Sequence, residues 1–149
     1  MDKQLLDRLQ SQCSKREYCK SDIYAKALKA LEGDVEGARE ILDSLVADRF
    51  VDDLRYASAF ARDKSALSGW GPVKIAYALR AKKISAEDIA GALSEIDASK
   101  ASEKLLKTLQ AKARSLEGDP QIKLKLIKFA LSRGYDYQEI EKLVREVLG

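Results

Sequence analysis

Apolar residues recur along this chain at three- and four-residue intervals, the period of one helix face. Leu5, Leu6 and Leu9 follow it, as do Tyr56 and Phe60, and Ile140, Leu143, Val144 and Val147. No alternating run of β-branched residues signals a strand. The stripes and their stop signals predict helices near 2–12, 21–32, 34–48, 53–66, 71–82, 86–96, 98–115, 120–133 and 137–148. Ser85 with Asp88, and Asp136 with Glu139, have capping-box spacing, and Asp34 suits the start of a third such helix. The two prolines, Pro72 and Pro120, each open an apolar run, where a missing N–H costs little. Asp119 is an expected N-cap, and Ser68 or Gly69 a cap for the helix of Pro72. Gly134 and Gly118 are expected left-handed closures.

The helices fall into threes. Ile23, Val73 and Ile122 sit early in successive middle helices, 50 and then 49 residues apart, and Ile41, Ile89 and Ile140 begin the stripe of each last helix. The expected organisation is therefore all-α: three tandem three-helix repeats, 1–51, 52–96 and 97–149. One such repeat buries only a small core, so neighbours must share apolar faces, which predicts an elongated, curved molecule.

Composition narrows function mainly by exclusion. The 149 residues contain no histidine, which removes a Ser-His-Asp triad, an imidazole base and any histidine metal cluster. Gly69-Trp-Gly71 is too short for a phosphate-binding loop and lacks its Lys-Ser/Thr ending. The adjacent acids Asp52 and Asp53 stand where helix electrostatics favours them. Cys13 and Cys19 read as reduced, partly buried thiols. No metal or cofactor is expected. Met1–Leu9 is charged, with no signal-peptide core, and no stretch reaches bilayer length, so a cytoplasmic monomer without membrane contact is expected.

The net charge of +3 conceals local asymmetry. Residues 32–53 hold eight acids and two bases; residues 62–83 hold six bases and one acid. The basic members Arg62, Lys64, Lys74, Arg80, Lys82 and Lys83 could steer a polyanion or an acidic protein groove. They could equally be the solvated face of an ordinary helix. Arg55 and Arg62 share a helix face, as do Lys125 and Lys128, with Arg133 beyond. Trp70 is the single tryptophan. It suits either a core clamp between the first two helices of the second repeat or an exposed anchor for a partner. Tyr56 and Phe60 are expected in the core, and Tyr135 in a staple at the last helix start.

Two blocks carry a family resemblance. Phe50-Val-Asp-Asp-Leu-Arg-Tyr-Ala-Ser-Ala-Phe-Ala-Arg-Asp-Lys64 and Trp70-Gly-Pro-Val-Lys-Ile-Ala-Tyr-Ala-Leu-Arg-Ala-Lys-Lys-Ile84 resemble the RecX family, regulators of the RecA recombinase. Arg133-Gly-Tyr135 and Arg16 through Ile23 resemble its flanking motifs. The resemblance implies three three-helix repeats and no enzymatic activity. It implies binding in the groove of the RecA–single-stranded DNA filament, with inhibition of ATP hydrolysis, strand exchange and coprotease activity, and weak direct DNA binding. A general nucleic-acid-binding module without a recombinase is the alternative. Asp53, Arg55, Tyr56 and Ala57 match the first signature. Gly71, Lys74, Ile75 and Leu79 match the second, closed by Lys83 and Ile84. Expected contact residues are Arg55, Arg62, Lys74, Arg80, Lys82, Lys125, Lys128 and Arg133. Asp53, Tyr56, Phe60, Trp70, Gly71, Ile75, Leu79 and Gly134 are expected to hold the repeats together. The family pattern commonly has a glycine at Lys83 and a basic or polar residue at Pro72.

Overall fold

The computed structural model describes Met1–Gly149 as nine α-helices with no strand: α1 (Lys3–Lys15), α2 (Lys20–Ala30), α3 (Val35–Ala47), α4 (Asp53–Ala66), α5 (Pro72–Ala81), α6 (Ala86–Ser94), α7 (Ala98–Ser115), α8 (Ile122–Ser132) and α9 (Tyr137–Leu148). Each corresponds to a predicted helix, with ends displaced by at most three residues. No helix is long and apolar enough to cross a membrane.

Six helices begin on a residue that caps its own first turn. Asp2, Asp34, Asp52, Ser85, Asp97 and Asp136 each accept a backbone N–H two or three residues downstream. The exceptions are α2, α5 and α8, the middle helices of the three predicted repeats. Cys19 and Gln121, which precede α2 and α8, make no side-chain cap. Glycine precedes α5. Ser68 and Gly69 therefore do not cap α5; its first turn starts at Gly71, with Pro72 as the first helical residue. Asp119 does not cap α8 directly either. It accepts the Gln121 amide at 2.8 Å and closes the turn that contains Pro120.

The chain forms two compact units: Met1–Ala59 with Leu79–Ala92, and Phe60–Ala78 with Leu93–Gly149. In the first, α1, α2 and α3 enclose a core of Leu5, Leu9, Ile23, Ala27, Ala38, Ile41, Leu45 and Val51. In the second, α7, α8 and α9 enclose Leu105, Leu109, Leu126, Ala130, Tyr135, Ile140, Leu143 and Val144. Burying each large aliphatic side chain contributes roughly 1.5–3 kcal/mol. Tyr56, Ile75 and Leu79 are buried as expected.

The repeat register differs from the expected one. Ile23 is fully buried, but Val73 is 51 % exposed and Ile122 only half-buried. The middle helices instead bury Ile23 with Ala27, Ile75 with Leu79, and Leu126 with Ala130. Each residue turns a helix by about 100°, so the two-residue slip from Val73 to Ile75 reverses the face that enters the core. Ile41, Ile89 and Ile140 are all buried, as the stripe of the last helices requires.

Helices α3, α5 and α8 close alike, on residues of positive φ: Arg49 (62°), Lys83 (63°) and Gly134 (92°). In α5 the Lys83 amide donates to the Arg80 carbonyl and the Ile84 amide to that of Leu79; in α8 Gly134 and Tyr135 repeat the pattern on Leu131 and Ala130. This is the paired bonding of a Schellman closure. Lysine at position 83 thus keeps the closure and bears its strain. Lys83→Gly should raise unfolding stability by about 1 kcal/mol, because a side chain is penalised in this conformation and glycine is not. An unchanged or lower urea midpoint would contradict that account.

Candidate partner-binding surface

The second unit is organised around the start of α5. Its amides have no local cap, and the end of α8 supplies their acceptors. The Gly71 amide donates to the Arg133 carbonyl at 2.6 Å, and the Val73 amide to the Gly134 carbonyl at 2.9 Å. Orphan donors of one helix thereby meet orphan acceptors of another. The approach is close enough to require two glycines. A Cβ on Gly71 would overlap the Gly134 carbonyl, and a Cβ on Gly134 would overlap Lys74. Around this contact, the Tyr135 hydroxyl donates to the Gly69 carbonyl at 3.1 Å, Arg133 to that of Ser68 at 3.3 Å, and Lys74 to that of Ser132 at 3.4 Å. Burial pushes the Tyr135 hydroxyl above its ordinary pKa, so it remains a donor at neutral pH.

Trp70 precedes this junction. Its ring meets Phe60 edge-on at 6.1 Å, and the ammonium groups of Lys64 and Lys74 lie 4.7 and 4.4 Å from its centroid. Arg133 and Lys112 lie likewise over Phe129.

In the first unit, α2 is supported by the beginning of α4 and the end of α5. The Lys20 amide donates to the Asp53 carboxylate at 2.8 Å, and the Ser21 hydroxyl to the Lys82 carbonyl at 2.7 Å. Lys82 pairs with Asp22 at 2.9 Å. Arg55 pairs with Glu17 at 2.7 Å and also donates to the carbonyls of Arg49 and Phe50, where α3 ends. These hydrogen bonds to carboxylates hold both cations more firmly protonated than usual. Burial, the largest effect, pushes the Asp53 carboxyl up; the Lys20 amide and charge pull it partly back, and Asp88 and Asp52 add to the rise. Cys19 is buried and Cys13 half-buried; both are free thiols with pKa raised first by burial, which makes neither a ready nucleophile.

The eight expected contact residues thus divide. Arg55, Lys74, Lys82 and Arg133 hold helix ends, and Lys125 pairs with Asp119 at 2.5 Å. Arg62, Arg80 and Lys128 are exposed, and their side chains make no hydrogen bond or ion pair within the chain. Sequence reasoning missed the exposed side chains beside them: Val73 at 51 % and Tyr77 at 72 % on α5, and Leu124 at 48 % and Leu131 at 47 % on α8. Val73 and Tyr77 precede Leu124 and Lys128 by 51 residues, the same offset that separates Ile75 from Leu126. The same helical positions stay outside in both helices. The register that aligned Val73 with Ile23 and Ile122 did not separate these outward positions from the buried ones. His, Cys, Asp and Glu form no cluster able to hold a metal.

Nine helices without a strand, with the start of α2 completed by Asp53 of α4 and that of α5 by the end of α8, define an all-α helical-repeat protein. Residues 52–93 match the model of the RecX second three-helix domain. Regulatory protein RecX of Clostridium botulinum (strain Alaska E43) is 37 % identical over 119 residues, covering 77 % of this chain and 55 % of the relative. That of Clostridium perfringens (strain 13) is 28 % identical over 157 positions, covering 89 % and 73 %. The crystal structure of RecX from Lactobacillus salivarius shares the fold, with a TM-score of 0.85 at 20 % identity, covering 97 % of this chain and 95 % of that one. The chain belongs to the RecX family, a family of regulatory proteins rather than enzymes. It spans about half the length of the C. botulinum relative.

Two measurements probe the junctions. Gly71→Ala and Gly134→Ala should each cost at least about 2 kcal/mol in urea unfolding, as overpacking against unyielding backbone does; a loss under 0.5 kcal/mol, within the usual range for surface changes, would show that the contact relaxes. Asp53 should oppose stability once ionised. Its folded pKa lies above the unfolded value, so its contribution is fully present below the unfolded pKa and is lost as pH rises through the folded one. Asp53→Asn keeps an acceptor for Lys20 and should remove that pH-dependent loss; identical slopes of stability against pH in both proteins would refute it.

Proposed function

We propose that this chain is a negative regulator of the RecA recombinase, which binds in the groove of the RecA–single-stranded DNA filament and inhibits ATP hydrolysis, strand exchange and coprotease activity. The observation that carries this reading is the RecX match over 52–93, supported by relatives named Regulatory protein RecX. The protein acts by binding. A ligand that favours one arrangement of adjacent recombinase subunits shifts the filament's equilibrium toward it, and no chemistry of its own is needed.

Each unit presents its own proposed contact face: Arg80 on the first, and Arg62, Val73, Tyr77 and Lys128 on the second. Lys74, Lys82, Arg55 and Arg133 act at one remove, by holding the helices that present these faces. The primary test is ATP hydrolysis by a matched recombinase on single-stranded DNA. Micromolar protein should suppress it, and no suppression would count against the reading. Arg80→Glu with Lys128→Glu should weaken filament binding about tenfold with helical content unchanged, as charge reversal at an interface does. Equal affinity for bare DNA and for the filament would instead favour a general nucleic-acid-binding module.

A further inference from the structure

Within the first unit, the first two helices are basic and the third is acidic. Helices α1 and α2 hold six bases, Lys3, Arg8, Lys15, Lys20, Lys26 and Lys29, against two acids, Asp7 and Asp22. A groove lies between them, floored by Leu5, Leu9 and Ala30 and rimmed by Arg8, Lys26 and Lys29. No acid lines it. Asp7 stands about 150° round α1 from the groove positions. Asp22 is paired with Lys82 at 2.9 Å, and Asp2 accepts the Leu5 amide. Glu32, exposed just past the end of α2, is the one uncommitted acid adjoining these helices. Lys26 donates to Gln12 at 3.2 Å, whereas the side chains of Arg8 and Lys29 are exposed and unpaired.

Helix α3 buries Ala38, Ile41 and Leu45. On its opposite face Glu36, Glu40 and Asp43 follow at four- and three-residue spacing, exposed and without an ion pair. Arg39, the only base in α3, stands to one side of that stripe. Because α1, α2 and α3 enclose one core, the α1–α2 groove and the outer face of α3 lie on opposite sides of it.

We propose that the α1–α2 groove receives the acidic outer face of α3 from a second copy of this chain. Carboxylates of the stripe meet Arg8, Lys26 and Lys29, and the exposed Val35 in the first turn of α3 adds apolar surface for the floor. The two patches differ and face opposite ways, so the contact is head-to-tail and open-ended rather than a closed pair. A nucleic-acid strand fits less well. The groove has no aromatic lining, and the Tyr18 ring already carries Arg16 and Lys26, which leaves no platform for a base. The contact requires no recombinase, so it stands or falls separately from the proposed function.

Sedimentation equilibrium of the full chain tests it. At about 1 mM protein and about 0.01 M salt, where charges act over about 30 Å, the weight-average mass should be about twice that of the monomer, as open-ended association with a Kd of about 1 mM gives. Near about 1 M salt it should return to the monomer value. Arg8→Glu with Lys29→Glu should weaken association at least about tenfold, and so should Glu36→Lys with Glu40→Lys, with helical circular dichroism unchanged. If the groove pair misfolds, Arg8→Gln with Lys29→Gln replaces it. Mixing the two charge-reversed proteins should restore the rise in mass, because each then complements the other. A mass that stays at the monomer value, association unaffected by either reversal, or a mixture that stays monomeric would each overturn the proposal. So would a groove reversal that weakens binding of oligothymidine while leaving the rise in mass intact.

Discussion

A helix leaves its first amides without partners inside the helix, and most helices in this protein satisfy one of them with a serine or aspartate of their own. The middle helices do not. The first amide of α2 donates to Asp53, and amides at the start of α5 donate to the carbonyls that α8 leaves free. The starts of α2 and α5 are therefore completed only when a distant segment arrives, whereas at α8 the nearby Asp119 accepts the Gln121 amide. A buried amide left without an acceptor costs about 1–3 kcal/mol, so this requirement couples the helices of each unit. The Gly71–Gly134 approach follows from it, since carbonyl and amide can meet at 2.6 Å only where no Cβ intervenes.

That constraint also allocates the charges. Arg55 reaches the carbonyls that end α3, Lys74 and Arg133 bond to carbonyls at either end of the α8–α5 contact, and Lys82 pairs with Asp22 beside the start of α2. Cations favour helix C-termini, where unpaired carbonyls accumulate partial negative charge. Of the six bases in residues 62–83, Lys64, Lys74 and Lys82 are thus engaged by the fold, while the side chains of Arg62, Arg80 and Lys83 stay exposed and unpaired. Arg80 shares a helix face with the exposed Val73 and Tyr77.

Membership of the RecX family accords with this division. The signature residues Asp53, Tyr56, Gly71, Ile75 and Leu79 are cap, core or close-approach positions. Their identity is tied to the geometry of the three-helix unit, whereas Arg62, Val73, Tyr77 and Arg80 on the same two helices, α4 and α5, are exposed and take no part in holding it together.

The sequence by itself determined the helices, the side-chain caps at Asp34, Ser85 and Asp136 and the left-handed closure at Gly134, because each depends on neighbours within about four residues. It also carried the family signature. Tertiary structure decided the rest. Val73 and Ile75 are both apolar, and only the rotation of α5 against its neighbours put one outside and the other in the core. Arg55 and Arg80 are both cationic on exposed helix faces, and only the arrival of Glu17, 38 residues earlier in the chain, committed Arg55 to the fold. Likewise the acceptors for α5 come from residues some sixty positions away. Local pattern specifies which segments become helices; which amide, carbonyl or charge remains free depends on what the folded chain brings to it.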